Sequence, residues 1–290
     1  MRDNAPAADL TMGRLVAQAA PTHKPPVSRD LFDRELRALR RDRAFRNGPE
    51  LFLLDRAFED LLDRLSFVQR DFRSALLIGC PDPEWMERLQ AVAQSVTATD
   101  PGSLFAEAAD AHHIDEEQLD LPDAAFDLCV TIGTLDTVND LPGALRSIRQ
   151  SLSGDALLIG AMSGGETLPR LRSAMRAADV LQGVAAPHIH PRIEAPSLAM
   201  LLSSAGFVMP VVDVDRIEVG YRSLRRLVSD LRAMGATNIL TSRPRQPLSR
   251  AAREAAEVDY MKDSQGGRAV ETFEILNFAV WTPSAPPNTA

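Results

Sequence analysis

Cysteine is scarce in this chain of 290 residues: there are two, Cys80 and Cys129. Both lie in apolar, strand-like runs, so the pattern offers no disulfide framework and suits a reducing cytoplasm. Basic residues are also in deficit, 32 against 40 acidic ones, for a formal net charge of −8. General nucleic-acid binding needs a basic face and is not expected. No apolar run approaches the roughly 18 residues of a spanning helix, so no transmembrane segment is expected. The N-terminus lacks the apolar stretch of a secretory signal, and its early acids and few arginines argue against organelle targeting. The expected location is a bacterial-type cytoplasm, with any membrane association made through a partner.

What is present is ordinary for a globular protein: 45% hydrophobic and 25% charged residues. The length fits one large α/β domain with additions, or two modest domains. Residues 1–27, rich in Ala and Pro, read as a poorly ordered leader, and residues 282–290 as a similar tail. Between them, residues 28–70 read as an N-terminal helical segment and 71–281 as the main α/β domain.

The helical segment opens with LFDRELRALRRDRAFR, where Leu31, Phe32, Leu36 and Leu39 recur at helical spacing. Six arginines from Arg34 to Arg46 make it locally basic. The plainer reading is a solvated face balanced by Asp33, Glu35 and Asp42. The sharper one is docking to an acidic partner. Gly48-Pro49 ends this helix, and a second amphipathic run extends from Leu51 to Leu65.

From Ser74 the pattern alternates strands and helices. Ala75–Ile78, Ser95–Ala98, Phe126–Ile132 and Ala156–Ala161 read as strands. Their continuous apolar character suits a buried parallel sheet covered on both faces. Glu84–Ala93, Leu141–Leu152 and Thr167–Leu181 read as connecting helices. Phe207–Val219 and Glu271–Val280 read as a late antiparallel pair, with helices at Leu224–Met234 and Ser249–Met261 between them.

The stretch LLIGCPDPEW, Leu76–Trp85, sits where a nucleotide-binding turn belongs. Such turns work because glycines let the backbone approach a ligand and N–H groups at the helix start face it. An acid about 20 positions on then holds the ribose, and Asp100 is so placed. On spacing alone this is a weak signal.

The run DEEQLDLPDAAFDLCV raises the specificity. Asp115, Glu117, Leu119, Pro122, Asp123, Phe126, Asp127 and Leu128 resemble the third and fourth motifs of class I S-adenosylmethionine-dependent methyltransferases. Further runs, TVNDLPGALRSIRQSL, LIGAMSGGETLPRLR, PHIHP, VDVDRIEVGY and DLRAMGATN, resemble a narrower group. It comprises the respiratory complex I assembly factors that hydroxylate an arginine of a complex I subunit, akin to the carrier-protein methyltransferases of biotin synthesis. The resemblance implies a Rossmann-like, mostly parallel sheet of about seven strands with helices on both faces, preceded by N-terminal helices. It implies S-adenosylmethionine as cofactor, with contacts from Gly79, Cys80, Asp100, Asp115, Glu116 and Thr131. It implies a protein partner or protein substrate, with Gly164, Gly165, His188, Asp213, Asp215 and Tyr221 as substrate-side residues. No catalytic residue or metal ligand is assigned.

Two departures from the group mark the cofactor side. Its D-L-G-C-G-x-G loop falls on Leu77 to Pro83, so Leu77 replaces the acid and Pro81 and Pro83 replace two glycines. Proline has no N–H to donate, and one lost hydrogen bond to a charged group is worth about 1.5–3 kcal/mol. Asp82 adds negative charge beside the place of the methionine carboxylate. In the L-H-W-V-N-D-L-P stretch of the group, His and Trp become Asp136 and Thr137 here.

Three other constellations invite readings. His188 and His190 suggest a metal pair, but only His188 matches the group, and a loop histidine is the plainer reading. Asp213 and Asp215 fall on one face of a strand, where they could grip a guanidinium or simply face solvent. Ser163-Gly164-Gly165 before a helix offers free N–H groups or serves as a cap. Two functions follow: a binding or assembly protein with weakened or lost cofactor binding, related by resemblance to complex I, or an active enzyme, either a related protein-arginine hydroxylase or an S-adenosylmethionine-dependent methyltransferase. The substrate of the second is a protein side chain, a carrier protein or a small acid.

Overall fold

The computed structural model describes residues 30–284. The leader expected over residues 1–27, and the part of the expected tail beyond Ser284, lie outside the described residues. Two helices, α1 (Arg34–Arg46) and α2 (Phe52–Ser66), precede the sheet. The strands are β1 (Phe72–Ile78), β2 (Ala93–Asp100), β3 (His112–His113), β4 (Phe126–Ile132), β5 (Leu152–Ser163), β6 (Val208–Tyr221) and β7 (Ala269–Trp281). The helices after β1 are α3 (Glu84–Leu89), α4 (Ser103–Ala108), α5 (Leu141–Ser151), α6 (Pro169–Gln182), α7 (Ala195–Ser204), α8 (Leu224–Ala233) and α9 (Arg250–Met261).

The seven strands form one sheet in the order β3-β2-β1-β4-β5-β7-β6. β1 to β5 run parallel, and β7 lies antiparallel between β5 and β6. Strand order reverses beside β1, which opens a crevice at the carboxyl ends of β1 and β4.

The period of two along β1 splits the core between the faces. Ala75 and Leu77 pack with Phe58, Leu61, Trp85 and Leu89 under α2 and α3. Leu76 and Ile78 pack with Leu145, Ile148, Leu198 and Leu202 under α5 and α7. Leu77, in the place of the group's loop acid, is fully buried in apolar surroundings. A third cluster joins α6, α8 and α9 to the ends of β6 and β7 through Ala174, Leu227, Ala256, Tyr260 and Phe273. Thr282, expected in the tail, is instead buried: its hydroxyl donates to Ser153 O at 2.6 Å and accepts from Ala156 N–H at 2.8 Å.

The first helix departs from its expected orientation. Leu39 is 63% exposed, whereas Arg37 and Arg41 are buried together with Ala44. The side of α1 that faces the molecule is carried by arginines at positions 34, 37 and 41, which recur at helical spacing.

Candidate functional site: the crevice under the first helix

Gly79 ends β1 with φ +88°. A Cβ there would stand 2.6 Å from Thr134 Cγ2 and 2.7 Å from Ile132 O, so the chain turns toward β4 in a way that glycine alone tolerates. Among Gly79–Glu84, three N–H groups are engaged within the chain. Gly79 donates to Thr99 O at 2.8 Å, Cys80 to Asp100 at 3.0 Å and Glu84 to the Asp82 carboxylate at 2.9 Å. Pro81 and Pro83 have none to give, which leaves the N–H of Asp82. Burial pushes the Cys80 thiol up to about 12, and burial also raises Cys129. Neither is a thiolate at neutral pH.

Asp100, at the end of β2, is fully buried. It accepts from Cys80 N–H at 3.0 Å and Gly102 N–H at 2.7 Å. Arg41 closes the remaining positions with a two-pronged contact, Nε at 3.0 Å and Nη2 at 2.5 Å. A carboxylate has about four lone-pair sites, so Asp100 is saturated.

Glu116 and Asp115 follow β3. Arg37 donates from both terminal nitrogens to Glu116, at 2.8 and 3.0 Å, and Arg34 adds a third bond at 2.6 Å. Burial pushes the Glu116 carboxyl up, but the Arg37 and Arg34 guanidiniums outweigh it and hold the group at about 2. Arg34 also grips Asp115 at 2.6 and 3.0 Å. Arg37 and Arg34 further donate to Thr134 O at 3.1 Å and Thr137 O at 2.7 Å, which ties α1 to the loop after β4. The solvated basic face expected of α1 is therefore corrected: three of its arginines pair with acids across the crevice. Two of the three acids expected to balance them are occupied elsewhere. Asp33 caps α1 and pairs with Arg243, and Asp42 accepts from Ser103 and Leu104.

The remaining candidate residues fall in several places. Thr131 is buried within β4, its hydroxyl 3.5 Å from that of Thr134. Gly164 N–H donates to the backbone of Glu274, whose carboxylate accepts from Glu166 N–H at 3.3 Å. Gly165 lies against the Glu194 carboxylate. His188 bonds Asp179 of α6 at 2.7 Å and does not line the crevice. Asp213 receives Arg64 of α2 at 2.6 and 2.9 Å, and Asp215 receives Arg56 at 3.0 Å. Tyr221 is buried in the third cluster. Among the described residues, no three His, Cys, Asp or Glu side chains are grouped to hold a metal ion.

A cavity of about 130 Å³ remains in front of β4 and β5. Leu53, Leu54 and Ala57 of α2 cover it, and Gly133 makes room for Leu54, which would lie 2.6 Å from a Cβ there. His190 and Arg192, from the segment between α6 and α7, stand in its wall. Arg192 pairs with Asp136, the residue that replaces the group's histidine, and both side chains are buried. Burial, with Arg192 alongside, pushes His190 down to about 3. The sequence places weight on His188, offers His190 only as a metal candidate, does not single out Arg192 and presents the α1 arginines as a solvated or docking face rather than a buried one. The helical spacing of Arg34, Arg37 and Arg41 was the available signal for the last.

Comparison with known proteins agrees with this architecture. A family profile described as a methyltransferase domain matches residues 51–210. The mitochondrial arginine-hydroxylase NDUFAF5 of Danio rerio is 34% identical over 268 residues, covering 88% of this chain and 83% of that protein. The Homo sapiens protein of the same name is 31% identical over 271 residues, covering 88% and 78%. A malonyl-[acyl-carrier protein] O-methyltransferase of Laribacter hongkongensis is 33% identical over 184 residues, covering 63% and 60%. In fold, the chain is similar to the YcgJ protein of Bacillus subtilis, with TM-score 0.55 and 10% identity, over 79% of this chain and 98% of that one. With its sheet order, its profile match and these relatives, the chain belongs to the class I S-adenosylmethionine-dependent methyltransferase superfamily and is related to the NDUFAF5 arginine-hydroxylases.

Proposed function

We propose that this protein is a methyltransferase-family assembly protein that acts by binding a protein partner, with S-adenosylmethionine binding weakened or lost. The observation that carries the reading is the seating of Arg41 on Asp100 and Arg37 on Glu116. These acids, by resemblance the ribose and adenine contacts, are satisfied by the chain itself. The loop supports the same reading, because Pro81 and Pro83 lack the donors that would receive the methionine carboxylate. As arranged, the residues do not fit the cofactor, and no catalytic step is derived through it. The kinship with NDUFAF5 makes a respiratory complex I subunit the partner of choice. The protein would act in a bacterial-type cytoplasm and meet the membrane through that partner; among the described residues no helix is long and apolar enough to cross one.

A second reading, an active methyltransferase on a protein side chain, carrier protein or small acid, draws on one feature. Gly79 retains the turn, and Asp100 retains its bond to Cys80 N–H, as a working loop requires. Calorimetry of the purified protein with S-adenosylmethionine and S-adenosylhomocysteine decides between the two. Silence at millimolar concentration is expected, and micromolar binding of either would overturn the lost-cofactor reading. A Pro81→Gly/Pro83→Gly variant that gains binding would assign the loss to missing donors. An Arg41→Ala variant that gains it would assign the loss to the occupied carboxylate.

A further inference from the structure

The crevice takes three of the six arginines between Arg34 and Arg46. The side chains of the other three, Arg40, Arg43 and Arg46, make no hydrogen bond or ion pair among the described residues. Arg43 and Arg46 are exposed, whereas Arg40 is half-buried where α1 lies against Gly235, after α8.

Three guanidiniums influence one another there, those of Arg40, Arg43 and Arg243, with one carboxylate, Asp33, among them. Arg243 takes that carboxylate at 3.0 Å and also donates to Leu240 O at 2.8 Å. The charges of Arg40 and Arg43 are left over. Burial, with Arg243 and Arg43 alongside, pushes the Arg40 guanidinium below its ordinary value. Its Nη1 is enclosed, but Nε and Nη2 keep access to solvent. Unrelieved like charges raise a local positive potential, although the chain as a whole carries −8. Beside them Leu39, 63% exposed, lies one helical turn from Arg43.

We infer that the outer face of α1 docks an acidic segment of a protein partner, with carboxylates on Arg40 and Arg43 and an apolar side chain against Leu39. The planar fork of an arginine suits a carboxylate. A carboxylate on a side-chain stem reaches a recessed guanidinium, where a flat anionic surface stops at the exposed ones. The inference rests on the reading of this protein as one that binds a protein partner, and it gives that partner its chemistry.

The test titrates the full chain, at low salt, with two fluorescein-labelled peptides, EELEE and QQLQQ, followed by fluorescence anisotropy. EELEE should bind at least about tenfold more tightly than QQLQQ. Arg40→Gln should lose about tenfold of that affinity. Arg73→Gln removes the same charge at the opposite end of β1, where Arg73 is 83% exposed, and should lose less than about twofold. Arg40→Gln should also melt no lower than the unaltered protein, because the cation removed has no partner. Equal binding of the two peptides, equal loss in the two variants, or an Arg40→Gln variant that melts more than about 5 °C lower would overturn the inference. So would binding of phosphatidylglycerol vesicles by a protein that does not bind EELEE. The cofactor titration is separate: S-adenosylmethionine binding beside EELEE binding removes the lost-cofactor reading alone, and silence toward both removes the docking face alone.

Discussion

The two ends of the crevice share one sheet edge and differ in how they satisfy their polar groups. At the β1–β2 end, Asp100 is saturated, Glu116 has three guanidinium bonds, and the loop keeps one N–H unengaged. At the β4–β5 end, the buried Arg192 Nε–H stands without a partner among the described residues, in the wall of a cavity of about 130 Å³. A carboxylate buried without a cation costs several kcal/mol. Asp100 and Glu116 are therefore stable in place because α1 covers them, and α1 holds its position because they are there. An idle N–H donor is cheaper to bury than a bare charge, about 1–3 kcal/mol. That difference allows one end to stay open while the other is closed.

The largest expected effect comes from breaking the closed end. Arg41→Ala leaves Asp100 buried with no guanidinium, and should destabilise the fold by about 3–5 kcal/mol. Urea unfolding of Arg41→Ala, beside an Arg41→Ala/Asp100→Asn double variant, separates charge from packing. The double variant should recover part of the loss, because the neutral amide no longer needs a cation although its nitrogen faces one of the two backbone N–H groups, of Cys80 and Gly102, that the carboxylate accepted. A single variant that costs less than about 1 kcal/mol would remove the closed end from the comparison.

Acid should open the same end from the other side. The Glu116 carboxyl lies at about 2 in the folded protein, against an ordinary value of 4.5. A depressed carboxyl favours the folded state fully above its unfolded value, and the benefit is lost as pH falls toward the folded one. Stability should therefore drop between about pH 4.5 and pH 2, by roughly 3 kcal/mol for this group at the far end. Chemical denaturation across that window checks it. Glu116→Gln should flatten the slope there, and an unchanged slope would mean that other acids set it.

How much of this was legible in the sequence follows from the range of the interactions. FDLCVTI reads as a buried strand because a continuous apolar run of that length has few other homes in an α/β chain, and β4 spans those residues. The late antiparallel pair was legible from the charges alternating along VDVDRIEV, and β6 and β7 pair as expected. The buried side of α1 was not. Apolar periodicity drew attention to Leu39, which is exposed, while Arg37 and Arg41 are buried by acids 79 and 59 residues away. A burial that depends on a distant charge leaves no mark in local hydrophobicity. Asp213 and Asp215 were legible as a guanidinium-binding pair, but the guanidiniums they hold are the chain's own Arg64 and Arg56. Pairing chemistry was visible in the sequence, and the partner was not.

That last pair sharpens the comparison at its small end. Arg64 and Asp213 make a two-pronged contact much like that of Arg41 and Asp100, at 2.6 and 2.9 Å. The difference is solvent: the Arg64 and Asp213 side chains are 36% and 43% exposed, against 10% and 0% for Arg41 and Asp100. Water screens the exposed pair and rehydrates either member left alone, so such contacts contribute about 0–1 kcal/mol. A double-mutant cycle with Arg64→Ala and Asp213→Ala should give a coupling energy within that range. The same cycle at Arg41 and Asp100 should give several-fold more, since neither group can find water when its partner is removed. Equal coupling at the two sites would mean that burial is not what distinguishes the arginines of α1 from those of α2.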